Sequence, residues 1–248
     1  MVGMFPSTSR LPRVIVLPMP DSTGHFQDSL LAWFARAKRD FPWRSRRDPY
    51  AVLIAEKLLQ QTAARDVVVR SYEHLLRRYP TTELLAQAHV PDLESIIRPL
   101  GFAYRAVELR EMARSLVARH GGEVPADLGA LLALPGVGDY AARAVLSFAF
   151  GEDVPVVDTN VARFLYRLYG LPGRQPTNPA RKKSLINLAA TLVPTGRSKD
   201  YNLAILDLCA TVCKPGVPLC AVCPVRPYCV HGLERLVMAR ARVPSADN

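Results

Sequence analysis

Between two stretches of helical periodicity, ADLGALLAL and YAARAVLSFAFG, the chain reads LPGVGDY over residues 134–140. Two glycines one residue apart at the mouth of a helix leave few structural solutions. Glycine takes positive φ without strain and lets another backbone, or a phosphate, come close. The N–H groups of a first helical turn have no partner within the helix and point towards any anion beyond it. One reading is a helix-hairpin-helix that grips nucleic acid through Pro135, Gly136, Val137 and Gly138. The other is a glycine-capped turn between packed helices. The apolar sequence on both sides favours the first.

The remainder is helical too. Apolar residues recur at helical spacing in FQDSLLAWFARAKRD (26–40), with Asp28 or Ser29 to open it. AVLIAEKLLQQTAARDVVVRSYEHLLRRYP reads as one long or two abutting helices, and ARKKSLINLAATLVP and KDYNLAILDLCATVC as the last long ones. VPVVD is an extended lead into the helix TNVARFLYRLYG, and no hairpin signal for strands is present. The fold class is all-α. Apolar residues make up 49% of 248, enough to bury a full core in one or two domains. Residues 1–25, interrupted by Pro6, Pro12, Pro18 and Pro20, read as a flexible tail, as do residues 236–248. No apolar run reaches the roughly 18–20 residues of a membrane span, so a cytosolic protein is expected. The net charge of +10 suits a polyanion, nucleic acid before an anionic membrane surface.

Three patterns carry chemistry. Asp158, in VVDTN, stands where an extended stretch meets a helix. It reads either as an N-cap or as a carboxylate held at a helix mouth to steady a cation or activate water. Glu56, in LIAEKLLQQT, is either part of a charged stripe with Lys57 or a carboxyl group among apolar neighbours, suited to giving up a proton. Cys213, Cys220, Cys223 and Cys229 follow a C-x6-C-x2-C-x5-C spacing that suits tetrahedral zinc or a cubane iron–sulfur cluster. Cys209, one helical turn earlier, reads as a small buried residue.

In this order, FPWRSRRDPYAVLIAEKLLQQT, LPGVGDYAARAVLSFAFG, VVDTNVARF and the four cysteines resemble the endonuclease III-like superfamily of helix-hairpin-helix DNA glycosylases, over about residues 26–230. The resemblance implies two helical domains with the active-site cleft between them. A six-helix domain would span about 42–152, and a cluster domain 26–41 with 153–235. It implies a [4Fe-4S] cluster on Cys213, Cys220, Cys223 and Cys229, and a monomer acting on double-stranded DNA that contains a mispair or damaged base, on the nucleoid. The target nucleotide would be flipped into the cleft, with Asp158 supporting loss of the base. Gln60 and Gln61 match positions that fill the vacated stack, or else lie on a helix surface. Asn160, to position Asp158, and Arg44, to contact the base, are weaker candidates.

Bifunctional members carry lysine where this chain has Tyr140, and a phenol forms no Schiff base. The resemblance therefore implies base removal without efficient strand cleavage. Tyrosine there is a feature of the mismatch-specific thymine glycosylases. MutY-type adenine glycosylases usually have serine, favour GLGYY where this chain has Leu100-Gly101-Phe102-Ala103-Tyr104, and continue into a further domain, whereas 19 residues follow Cys229. LLQQT is closer to the adenine branch. Thymine or uracil opposite guanine ranks ahead of adenine, and a non-catalytic damage-binding protein ranks last because Asp158 is present.

Overall fold

The computed structural model describes residues 20–240 except Ala63 and Phe102, and among these residues the regular structure is all helical. Helix α1 (Pro20–Ala37) opens on proline, whose fixed φ suits a first helical turn. Residues 20–25, expected as part of an N-terminal tail, are therefore helical, and residues 1–19 lie outside the described part. Helix α2 (Pro49–Leu59) is capped by Asp48, which accepts the Tyr50 and Ala51 N–H groups at 3.2 Å each, and it is buried from Tyr50 to Leu58. It ends at Leu59, so α2 and α3 (Asp66–Arg78) are two helices separated by a loop at 60–65.

Short helices α4 (Thr82–Ala86) and α5 (Val90–Ile97) pack on α6 (Arg105–His120). Helix α7 (Leu128–Leu132), capped by Asp127, precedes the glycine turn, and α8 (Asp139–Val145) follows it. Helix α8 runs into a π-helical turn, Leu146–Phe150, that ends on Gly151 at φ 76°. After an extended stretch come α9 (Thr159–Tyr169), α10 (Lys183–Ala190), α11 (Ser198–Thr211) and α12 (Val230–Arg240). Residues 236–240 thus belong to a helix rather than to a C-terminal tail, and residues 241–248 lie outside the described part. No helix among the described residues is long and apolar enough to cross a membrane.

Helices α2 to α8 pack mainly on one another, while α1 packs on α11, and α9 on α11 and α12. Phe26 of α1 stacks near Phe164 of α9 and meets Tyr228 edge-on, burying the first helix against the last third of the chain.

Two polar clusters join the groups. Asn202 of α11 accepts the Val156 N–H at 3.1 Å and donates to the Val154 carbonyl at 2.9 Å and to Ser147 Oγ at 3.0 Å. Ser147, on the π-helical turn, lies 2.7 Å from Ser198 Oγ. The extended stretch has no strand partner, and these side chains satisfy its buried backbone groups. The second cluster centres on Asp207 of α11, whose side chain is fully buried. It accepts the Arg39 backbone N–H at 2.9 Å, Arg39 Nε at 2.5 Å, and Arg44 Nη1 and Nη2 at 2.7 and 2.6 Å. Burial alone would raise its pKa, but Arg44 and Arg39 outweigh burial and lower it. The loop from Lys38 to Asp48 is thereby fastened to α11. Within it, Phe41 stacks parallel on Trp43 at 4.9 Å, with the Arg39 and Arg44 guanidinium groups each 5.3 Å from the Phe41 ring centre.

Replacing Asp207 by Ala leaves Arg44, with 12% of its side chain exposed, largely buried and unpaired. The expected cost is about 3 kcal/mol in urea unfolding. A loss under about 1 kcal/mol would mean that the cluster behaves as an exposed ion pair.

Candidate active site and nucleic-acid interface

A cavity of about 360 Å³ lies where α2, α8, the start of α9 and α11 converge, with the Lys38–Asp48 loop as one wall. Glu56, Tyr140, Asp158 and Asn160 all line it. Glu56 is 4% exposed, and its Oε2 is buried without a hydrogen-bond partner. Burial pushes its carboxyl group up from 4.5 to about 8; Arg44 opposes this and the neighbouring Asp158 adds to it. The structure thus places Glu56 at a cavity rather than on a charged surface stripe. Lys57, beside it, is fully buried and faces elsewhere.

Asp158 proves to be both cap and cavity residue. Its Oδ1 accepts the Val161 N–H at 2.7 Å, and its Oδ2 accepts Asn160 Nδ2 at 2.8 Å while the half-buried side chain lines the cavity. Arg163 Nη1 in turn donates to Asn160 Oδ1 at 2.9 Å, and its Nη2 donates to the Cys213 carbonyl at 2.9 Å. Asn160, a weaker candidate, is thus hydrogen-bonded directly to Asp158. The Tyr140 phenol is pushed well above 10, by burial first and then by Glu56 and Asp158. Arg44 lines the same cavity, but its guanidinium is engaged by Asp207 and the Arg39 carbonyl. It is a braced wall, and turning it towards a base would break those bonds.

The hairpin is equally defined. Gly136 adopts φ 69°, and a Cβ there would fall on Lys57 Nζ and within 2.7 Å of Glu108 Oε2, so only glycine fits. Gly138 is extended, caps α8, and has open space where a Cβ would stand. Val137 points the other way: its side chain is buried, and its N–H bonds to the Leu134 carbonyl at 3.1 Å. Pro135 is half-buried beside it. Gln60 donates to the Gly136 carbonyl at 3.0 Å, whereas Gln61 is exposed at φ 54°, a conformation uncommon outside glycine. Neither glutamine lies on a helix surface.

Residues 54–190 match the HhH-GPD superfamily base excision DNA repair protein family. This chain belongs to that family. It is 39% identical to the thymine/uracil-DNA glycosylase of Pyrobaculum aerophilum over 204 residues, covering 81% of this chain and 88% of that protein. It is 38% identical to human adenine DNA glycosylase, covering 89% of this chain but 44% of the human protein. Its fold superposes on the solved structure of a thermostable thymine-DNA glycosylase with a TM-score of 0.80 and 34% identity, covering 86% of this chain and 98% of the other. The resemblance read from the sequence and the all-α fold class are both borne out.

In this HhH-GPD protein the four spaced cysteines line one small cavity of about 20 Å³, between α9, α12 and the loop after α11. Arg167 Nη1 donates to Cys213 Sγ at 3.4 Å, and Cys229 Sγ donates to the Arg167 carbonyl at 3.4 Å. Burial and the neighbouring thiols raise Cys223 to about 11 and Cys229 to about 12. Among the described residues, no three Cys, His, Asp or Glu side chains are grouped to hold a single metal ion. Cys209 is buried as expected, yet it also lines the larger cavity, where its Sγ donates to the Asn160 carbonyl at 3.4 Å.

Several site residues carry no motif. Asp207, Arg163 and Glu108 act through partners distant in sequence. Arg105, 1% exposed, ends α2 by donating to the Leu58 carbonyl at 3.1 Å and to the Gln60 carbonyl. Lys199 also lines the cavity, with its Nζ 2.7 Å from the Arg46 carbonyl. The one available signal was Lys57, a cation beside Glu56 in an otherwise apolar helical stretch.

Because the folded protein keeps a proton on Glu56 up to about pH 8 and the unfolded chain loses it near 4.5, the folded state binds more protons between those values. This contribution to stability is full below pH 4.5 and lost as pH rises through about 8. Urea midpoints of the wild type should therefore fall over this window by more than those of Glu56→Gln. Equal pH slopes for the two proteins would show that Glu56 titrates as an ordinary carboxylate.

Proposed function

We propose that this protein is a monofunctional DNA glycosylase that hydrolyses the N-glycosidic bond of thymine or uracil mispaired with guanine. The observation that carries this reading is the convergence of Glu56, Tyr140 and Asp158 on one cavity, beside a glycine hairpin, in a chain that spans most of a thymine/uracil-DNA glycosylase relative. The duplex would be held by the outward N–H groups after Gly138, and the target nucleotide flipped into the cavity. Gln60 and Gln61 stand at the end of α2, where a side chain could enter the vacated stack.

The chemistry follows from the protonation states. A pyrimidine leaving through N1 carries negative charge onto its carbonyl oxygens while positive charge builds on the sugar. Asp158, fixed by the Val161 N–H and Asn160, faces that positive charge and takes a proton from the attacking water. Glu56, still protonated at neutral pH, gives its proton to the departing base. The C1′–N1 bond breaks and a C1′–O bond forms, leaving an abasic sugar and a free pyrimidine; the proton on Asp158 passes through solvent back to Glu56. Tyr140 offers no amine, so the abasic strand stays intact.

The four cysteines fit a [4Fe-4S] cluster by donor chemistry: four thiols face one cavity, with an arginine N–H already on one sulfur. Bound there, the cluster would tie Cys213, Cys220, Cys223 and Cys229 to one another and so hold the loop between α11 and α12 together. The reading takes the protein as a monomer acting on the nucleoid, with one domain over about 42–152 and the rest forming the cluster domain.

Adenine excision is the second reading, favoured by the 38% identity to human adenine DNA glycosylase; Glu56 would then protonate a ring nitrogen. Incubation with G·T, G·U and A·8-oxoguanine duplexes followed by alkali separates the two. Cleavage is expected at thymine and uracil only, and cleavage confined to adenine would replace the substrate assignment. Strand scission without alkali would contradict the role given to Tyr140. Asp158→Asn should lower single-turnover cleavage by at least about a hundredfold while mispair binding persists. The wild-type rate should fall above about pH 8 as Glu56 loses its proton. Iron analysis with visible absorbance tests the cluster.

A further inference from the structure

Lys57 follows Glu56 in the sequence but does not line the cavity; its fully buried side chain turns into the seam between α2, α6 and the hairpin. The ammonium meets three acceptors: the Gly136 carbonyl at 2.7 Å, Glu108 Oε2 at 2.8 Å and Gln60 Oε1 at 3.2 Å. An ammonium has three N–H donors, so each has a partner. Burial lowers the pKa of Lys57, and Glu108 opposes that shift. A buried ion pair is no bargain for stability, since apolar side chains of similar volume often serve as well. What this pair holds is therefore more informative than what it contributes to stability.

It holds one peptide plane. The Gly136 carbonyl and the Val137 N–H belong to the same peptide unit. Lys57 and Gln60 Nε2 bind the carbonyl, while the N–H donates to the Leu134 carbonyl at 3.1 Å. With both ends of this unit engaged, the turn from Gly136, at φ 69°, to Gly138, which caps α8, is held in one orientation. The same ammonium also fixes the Gln60 carboxamide against the hairpin. When Gln60 leaves to fill a vacated base stack, Lys57 still holds the Gly136 carbonyl.

We propose that Lys57 is a positioning residue for DNA binding: neutralised by Glu108, its ammonium keeps the Gly136 carbonyl turned inward so that the following N–H groups face the DNA backbone, whether Gln60 is docked or inserted. This rests on the reading above that the hairpin grips DNA.

The test titrates enzyme against a G·T duplex under single-turnover conditions, which separates half-saturation from limiting rate, and also measures hydrogen exchange of the 137–141 amides in DNA-free protein. Lys57→Met keeps an unbranched side chain and removes the charge. Its half-saturating concentration should rise about tenfold, matching the loss of a charged hydrogen bond. Direct binding to a fully paired duplex should weaken equally, the limiting rate should change much less than half-saturation, and the hairpin amides should exchange faster. Unchanged half-saturation and exchange would overturn the proposal, as would a loss confined to the limiting rate.

Should Lys57→Met fail to fold, Glu108→Gln decides, because that side chain is 34% exposed and tolerates the change. It should shift half-saturation in the same direction, and no shift would overturn the proposal. A wild type that binds no duplex would sink the functional reading and this inference with it. That failure is distinct from wild-type binding that Lys57→Met leaves unaltered.

Discussion

Two carboxyl groups share one cavity, and the fold delivers them to it by different routes. Glu56 comes from the middle of a buried helix, finds no donor for Oε2, and holds its proton to about pH 8. Asp158 comes from the mouth of a helix and accepts the Val161 N–H and the Asn160 Nδ2. The neighbouring Asp158 adds to the burial that raises the Glu56 pKa. A buried carboxyl group with a raised pKa beside a second, capped carboxyl group forms an acid–base pair of the kind that environment alone can set up. Glycosidic hydrolysis needs both.

Much of the fold can be understood as bracing for that pocket. Asp207 fastens the Lys38–Asp48 loop to α11 and thereby commits Arg44 to the pocket wall. Asn202 and Ser147 carry the extended chain across the junction and deliver Asp158 to the front of α9. Arg163 links the carboxamide that holds Asp158 to the backbone of the cysteine loop. On the other side of α2, Arg105 and Glu108, one turn apart on α6, grip the end of the helix that carries Glu56. One helix thus presents its acid to the pocket and its neighbouring lysine to the hairpin.

What was legible in the sequence was what depends on near neighbours. Helical periodicity, the glycine pair, the Asp158 cap and the cysteine spacing each declare themselves within fewer than twenty residues, and the structure shows the all-helical fold, the positive φ of Gly136, the Asp158 cap and the four cysteines lining one small cavity. Interactions across the chain were not legible. Nothing near Arg44 indicates that Asp207, 163 positions away, will occupy its guanidinium. A charged stripe of Glu56 and Lys57 stayed open as one of two readings because the partners of Lys57, Glu108 and the Gly136 carbonyl, arrive from other elements. The start of α1 was misplaced because Pro20 read as a break, whereas proline at the first helical position does not interrupt the ladder. The helix read through QQT ends at Leu59 because Arg105 takes the carbonyls of Leu58 and Gln60.

The central claim is that the cavity keeps Glu56 protonated at the pH where the protein works. A titration of the Glu56 carboxyl carbon by carbon-13 magnetic resonance, assigned by comparison with Glu56→Gln, tests this most directly. The account requires a midpoint near pH 8. A carboxyl signal that titrates near 4.5, the ordinary value, would contradict it and leave the site without its acid.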